Sequence, residues 1–185
     1  DATFDQVVPA IDAGATVATH LFNGMRPLHH REPGPIGAVL GDERGTIELI
    51  CDLIHLHPAA ARLAAEHAGR GRTVLITDAI SATAAGDGTY ELGSLPVTVA
   101  DGVPTLEDGS LAGSTLTMDA AFRNFVVGCG MSVEDAVTAT ATRPAELLGM
   151  ADRVGSLRAG ASADLVVLDE DWTVRRVMKT GSWAS

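Results

Sequence analysis

The chain has 185 residues, 46% of them hydrophobic, and carries 24 Asp and Glu against 13 Lys and Arg, for a net charge of -11 and a pI near 4.8. That balance argues against a nucleic-acid backbone as partner, which needs a basic footprint, although an anionic small ligand is compatible with it where local cations gather. No apolar run is long enough to cross a membrane as a helix, and no targeting segment precedes the first helical pattern, so the sequence reads as a cytoplasmic globular protein of one large domain or a domain plus an appendage.

The chain starts at Asp1 without a methionine and reads as a piece of something longer. Asp1 or Thr3 caps a first helix whose apolar positions Phe4, Val7, Val8 and Ile11 share a face, with Gly14 as its stop. A strand over Ala15 to His20 follows, then a Gly/Pro-rich loop. A second strand, about Thr46 to His55, is apolar on both faces apart from Glu48 and Asp52, as in a sandwiched parallel sheet. Pro58 opens an Ala-rich helix with Leu63 and Ala64 inward and Gly69 at its end. A third strand runs from Thr73 to Asp78. Alternation at this spacing implies right-handed βαβ units with parallel strands.

Residues 86 to 113 are Gly-rich with alternating pieces and read as a β-hairpin excursion. A helix follows over Thr117 to Cys129, with Met118, Ala121, Phe122, Phe125 and Val126 on one face. Ser132 and Asp135 form a capping box for a helix from Val133 to Ala141, and a short separate helix runs from Pro144 to Leu148. The tail reads as two or three short strands, half-exposed by the alternation over Trp172 to Val177. Cys51 and Cys129 lack any framework or zinc-knuckle spacing and read as reduced core thiols.

The chemistry gathers where the apolar runs stop. His20, His55 and Asp78 each follow such a run, and in parallel α/β barrels functional groups sit at the carboxyl ends of strands. A buried carboxylate at Asp78 needs a partner to be kept. His20 suits a divalent metal through a neutral ring nitrogen, yet one histidine cannot make a metal site. His29, His30, His57 and His67 read as structural histidines. Asn23 and Gly24 either clamp a sugar or phosphate oxygen or close a simple turn. Arg31, on the stiff turn Arg31-Glu32-Pro33-Gly34, offers a fork that matches phosphate. Leu111-Ala112-Gly113-Ser114-Thr115 either aims backbone amides at a ligand or caps the next helix.

ATHLFNGM with REPG eleven residues after His20, D-x-x-H from Asp52 to His55, ITDA and LAGSTLTM, in that order, resemble the N-acetylglucosamine-6-phosphate deacetylases, and the tail Gly155 to Asp169 resembles the closing segment of the wider amidohydrolase superfamily. The resemblance implies an α/β fold. Residues 1-152 would be the C-terminal part of a (β/α)8 TIM-type barrel, and 153-185 would be strands of a small β-sandwich. It implies His20 as ligand of a divalent metal (zinc, iron, manganese or similar) and Asp78 as catalytic acid/base. Asn23, Gly24, Arg31, His55 and Leu111-Ala112-Gly113 would hold the phosphosugar, with Arg31 reaching into a neighbouring subunit of a homodimer. The first half of the barrel has no counterpart here, nor do a metal-ligating glutamate, an earlier histidine and the histidine that polarises the substrate carbonyl.

Hydrolysis of an amide needs a strong nucleophile at neutral pH and a proton for the departing amine, roles that a metal-activated water and Asp78 would fill. Two rivals stand beside this reading. One is another amidohydrolase, a cyclic-amide hydrolase or deaminase, which lacks an Asn-Gly plus REPG clamp. The other is a catalytically incomplete half-barrel serving as an interaction module.

Overall fold

In the computed structural model of the chain, which describes residues 1–184, helix α1 (Phe4–Asp12) leads into strand β1 (Val17–Ala18). The N-terminus of α1 is fixed as the sequence suggests, at Thr3, whose N–H donates to the Gln6 side chain at 2.9 Å. Strand β1 pairs in parallel with β2 (Thr46–Ile50), and β2 pairs in parallel with β3 (Thr73–Ile76). The sheet order is β1-β2-β3, so the sequence reading of consecutive parallel strands holds. Ile47, Leu49 and Ile50 are fully buried, as expected of a strand covered on both faces.

All three strands are shorter than the apolar runs that announce them. Ladder bonds flank β1, from Thr46 N–H to Thr16 O and from Leu21 N–H to Glu48 O, both at 2.8 Å. Past Ala18, however, the backbone turns, reaching a φ of +36° at His20. Strand β2 stops at Ile50 because the Asp52 carboxylate captures the N–H groups of Ile54 and His55 at 2.9 and 2.8 Å, an Asx-type turn that replaces the ladder. Strand β3 ends before Asp78, which has a φ of +51°.

Between β1 and β2 lies a helix that the sequence reading treats as loop, α2 (Gly34–Leu40). Its prolines fall in the first turn and just before it, where no intrahelical donor is lost, and it buries Ile36, Ala38 and Val39. Helix α3 (Pro58–Ala68) packs through Ala61, Ala64, Ala65 and Ala68, while Leu63 is 63% exposed. The expectation of an inward Leu63 is therefore corrected. The small side chains make the buried face, and Leu63 points away from it.

The 86–113 excursion is a three-stranded antiparallel meander rather than a hairpin: β4 (Gly88–Leu92), β5 (Leu95–Ala100) and β6 (Val103–Thr105). It has its own small core of Ala82, Val97, Val99 and Ala112. Helix α4 (Met118–Arg123) continues through a π-helical segment, Asn124–Gly128, and Phe125 and Phe122 are buried as expected. Met118, expected on the buried face, is 38% exposed. The next two expected helices are one run, α5 (Val133–Val137) passing through a π-helical segment, Thr138–Thr142, into α6 (Arg143–Leu147). Pro144 sits in the first turn of α6 and does not break it. Ser132 accepts from the Asp135 N–H at 3.1 Å, as the capping signal implies, and its hydroxyl donates to the Asp135 carboxylate at 2.6 Å.

Strands β7 (Leu165–Leu168), β8 (Val174–Lys179) and β9 (Ser182–Trp183) form the antiparallel tail sheet expected. Leu168 and Trp172 attach it to the main core, the Trp172 ring packing at a tilt of 50° against Phe122 with ring centroids 5.6 Å apart. Cys51 and Cys129 are buried free thiols, in line with the sequence reading.

Candidate active site

Each parallel strand is followed within a few residues by a non-glycine residue in the left-handed region: His20 after β1, Leu53 after β2 and Asp78 after β3. Such conformations are unfavourable for side chains with a Cβ and persist where the surroundings over-determine them, often at functional sites. The His20 ring is fixed by a hydrogen bond from Nδ1 to the Asn23 carbonyl, 3.1 Å long. That bond leaves Nε2 with a lone pair in the neutral ring, the arrangement in which an imidazole ligates a metal while its other nitrogen holds it in place. The Asn23 amide nitrogen is spent on the turn itself, donating to the carbonyls of His20 and Leu21 at 3.2 and 3.4 Å. Its side-chain oxygen makes no hydrogen bond among the described residues.

Glu48, which the sequence shows only as an interruption of an apolar run, lies beside His20 and within electrostatic reach of Asp78. Burial pushes its carboxyl up, while the His20 backbone N–H and ring charge pull it down and the Asp78 charge again pushes it up. The charged residue inside the continuous apolar strand was the available signal for it. Asp78 itself is exposed in this chain, so the expectation of a buried carboxylate is corrected. Strand β3 has β2 on one side only, and beyond its end the chain pairs with Ser114 through a single bridge at Ala79.

That bridge joins the Leu111-Ala112-Gly113 loop to the strand end. The Ser114 N–H donates to Asp78 O at 2.8 Å, the Ile80 N–H donates to Ser114 O at 2.9 Å, and the Ser114 hydroxyl donates to Thr77 O. Gly113 has a φ of +67°, and a Cβ built there would lie 2.8 Å from Asp78 O and 2.7 Å from Ile80 Cγ2. Gly113→Ala is therefore expected to destabilise the chain by about 1 to 3 kcal/mol and to push the Asp78 backbone out of place. A shifted denaturation midpoint together with perturbed amide signals at Asp78 and Ala79 checks this. An unchanged midpoint would mean that the loop yields freely.

His55 is paired with Asp52, Nδ1 to Oδ2, at 2.6 Å, with the two side chains 5% and 9% exposed. Burial pushes the Asp52 carboxyl up, but hydrogen bonds from the His55 ring and from the N–H groups of His55 and Ile54 outweigh it and hold the group below its ordinary range. Arg31 stands apart on an exposed turn. Its guanidinium donates to His30 Nε2 at 2.6 Å, its N–H donates to His29 Nδ1 at 3.2 Å, and the two imidazoles lie 4.3 Å apart. Among the described residues no hydrogen bond ties Arg31 to His20, Asp78 or the 111–113 loop. The structure thus joins the Asp78 backbone to Ser114, next to Gly113, and places Glu48 beside His20, while Arg31 remains outside that group. Among the described residues no three His, Cys, Asp or Glu side chains come together as a metal site. With its free Nε2, His20 fits a metal only as one ligand among several, and the described residues do not supply the rest.

The amidohydrolase family model matches residues 2–184. The chain belongs to the amidohydrolase family. An N-acetylgalactosamine-6-phosphate deacetylase of Escherichia coli O157:H7 is 44% identical over 184 residues, covering 100% of this chain and 48% of that protein. An N-acetylglucosamine-6-phosphate deacetylase of Lysinibacillus sphaericus is 40% identical over 181 residues, 98% of this chain and 46% of its own length. The N-acetyl-D-glucosamine-6-phosphate deacetylase of Mycobacterium smegmatis, solved in complex with N-acetyl-D-glucosamine-6-phosphate, superposes with a TM-score of 0.94 at 46% identity, over 98% of this chain and 49% of that one. This amidohydrolase chain therefore spans about half the length of the relatives it matches. Its meander and tail sheet are included in that superposition, and no helix is long and apolar enough to cross a membrane among the described residues.

Proposed function

We propose that this chain supplies the C-terminal part of a metal-dependent deacetylase that hydrolyses the acetamide of N-acetylglucosamine 6-phosphate to glucosamine 6-phosphate and acetate, in the cytoplasm. Residues 1-152 serve as the later part of a (β/α)8 barrel, and 153-185 as strands of a small β-sandwich. The observation that carries the reading is the bonding of Ser114, at the end of the Leu111-Ala112-Gly113 loop, to the Asp78 backbone, past the end of the strand that neighbours the one carrying Glu48 beside His20. It is supported by similarity to phosphosugar deacetylases along the whole chain.

His20 Nε2 would hold a divalent metal together with other ligands, and the metal would supply Lewis acidity that lowers the pKa of water toward neutral pH. Asp78 takes the proton from the attacking water and later hands it to the amine nitrogen as the C–N bond breaks. Asn23 Oδ1 and the N–H groups of Gly24 and Gly113 orient the sugar, the Leu111-Ala112 backbone supporting Gly113 through the bond from the Ala112 N–H to Pro104 O. His55 and Arg31 take the phosphate, with Arg31 acting across the interface of a homodimer. These phosphate contacts lie away from the reacting bond, so they position the acetamide through remote binding energy.

A second reading concerns the sugar. The first relative above is named for N-acetylgalactosamine 6-phosphate, which differs from the glucosamine substrate by the configuration of one ring hydroxyl. The test is acetate release by a complete barrel, this chain joined to the N-terminal portion its relatives carry. The substrates are both phosphorylated sugars, free N-acetylglucosamine and a cyclic amide. Preference for N-acetylglucosamine 6-phosphate is expected. Equal turnover of the free sugar, or turnover of the cyclic amide alone, contradicts the proposal.

A further inference from the structure

We infer that Asp52 is a positioning residue that fixes both the proton and the orientation of His55, so that Nε2 of the ring is the atom offered to the substrate phosphate. This rests on the phosphosugar reading of the site. The two oxygens of the Asp52 carboxylate do different things. Oδ1 accepts from the Ile54 and His55 N–H groups at 2.9 and 2.8 Å, which builds the turn that ends β2 and includes Leu53 with a φ of +66°. Oδ2 lies 2.6 Å from His55 Nδ1. A carboxylate only accepts, so Nδ1 carries a hydrogen in both the neutral and the charged ring. The ring is then held at two points of one residue, through its backbone N–H and through Nδ1, and its remaining polar atom is Nε2. Among the described residues Nε2 makes no hydrogen bond, and it is not one of the buried unpartnered side-chain atoms, so the small exposed part of this side chain (5%) includes the atom that a ligand would meet.

An imidazole with its polar edge directed in this way and no partner for the other nitrogen is prepared for a ligand. The Asp52 carboxylate, kept ionised by its three hydrogen bonds, compensates the charge that the ring acquires when it takes a second proton and donates from Nε2 to an anionic phosphate. A carboxylate that served only the turn would need one oxygen, and the second would face solvent or a backbone N–H.

Asp52→Asn separates the two jobs. The amide oxygen still accepts from Ile54 and His55, so the turn survives, but an NH2 group now faces Nδ1, which must become an acceptor. In 15N-histidine spectra of the complete barrel, the His55 signals, identified by their loss in His55→Gln, are expected to show a protonated Nδ1 in the parent and an unprotonated Nδ1 in Asp52→Asn. KM for N-acetylglucosamine 6-phosphate should rise about tenfold or more in Asp52→Asn, with a smaller change in kcat and little change for the unphosphorylated sugar. Because Asp52 acts through the ring, the double variant Asp52→Asn/His55→Gln should bind no worse than His55→Gln alone. An unprotonated Nδ1 in the parent, an unchanged KM, or losses that multiply in the double variant would each overturn the assignment. A parent protein with no activity on the phosphosugar would instead defeat the deacetylase reading, and the spectra would still decide whether Asp52 sets the proton on His55.

Discussion

Asp78→Asn, placed in a complete barrel, is expected to lower kcat by about a thousandfold to ten-thousandfold while metal content and KM stay near those of the parent. The substitution is suited to the question because it is nearly isosteric and because Asn is among the few residues that accept a left-handed backbone, here a φ of +51°. The bond from the Ser114 N–H to the residue's carbonyl is a backbone contact and survives the change. What is lost is the ability to accept a proton from water and return it to nitrogen. Pre-steady-state mixing with substrate would then show binding without an acetate burst. Near-normal turnover in Asp78→Asn would remove this carboxylate from the mechanism, and a collapse in metal content would make it a ligand instead.

Arg31→Ala is expected to weaken the phosphorylated substrate by about thirtyfold or more, read as KM, and to leave free N-acetylglucosamine almost untouched. The guanidinium is exposed, donates to His30, and has no hydrogen bond to the Asp78 group among the described residues. This placement is what an arginine acting on a neighbouring subunit requires. Mixing Arg31→Ala protomers with Asp78→Asn protomers should therefore regenerate a share of intact sites. Equal losses on both substrates would make the arginine structural, and no recovery in the mixture would place the whole phosphate contact within one chain.

The parallel sheet and the positions of His20, His55 and Asp78 were legible because apolar strands that stop at an ionisable side chain leave a plain pattern. Strand ends were not legible. They are set by side-chain capture of backbone N–H groups, as at Asp52, and by left-handed residues at His20 and Asp78, neither of which alters hydropathy. Helix α2 was hidden because its six residues after Gly34 contain a proline and a glycine, which read as loop unless their first-turn placement is known. Leu63 misled because a helix lined by alanines buries the smaller side chains, and hydrophobicity ranks leucine above them. Within the site, Glu48 and Asp52 were visible as exceptions in apolar surroundings, but their partners are set by packing between strands and by the turn after β2, which spacing alone does not give.

We propose that these residues form one part of a catalytic barrel whose metal site is completed by others. Strands β1 and β3 each have only β2 as a sheet neighbour, which leaves strand edges that closure of a barrel would remove. Leu53 and Ile54, 38% and 48% exposed, extend an open apolar surface beyond the end of β2. In that proposal His20 would provide one ligand where a catalytic metal takes about three from protein. The most direct measurement is metal content and acetate release from N-acetylglucosamine 6-phosphate, for the 185-residue chain alone and for the chain co-expressed with the N-terminal portion of a relative. Weak metal binding and no acetate from the first preparation, with both restored in the second, is the predicted result. Stoichiometric metal and full turnover from the chain alone would contradict it and would mean that a complete site lies within these residues.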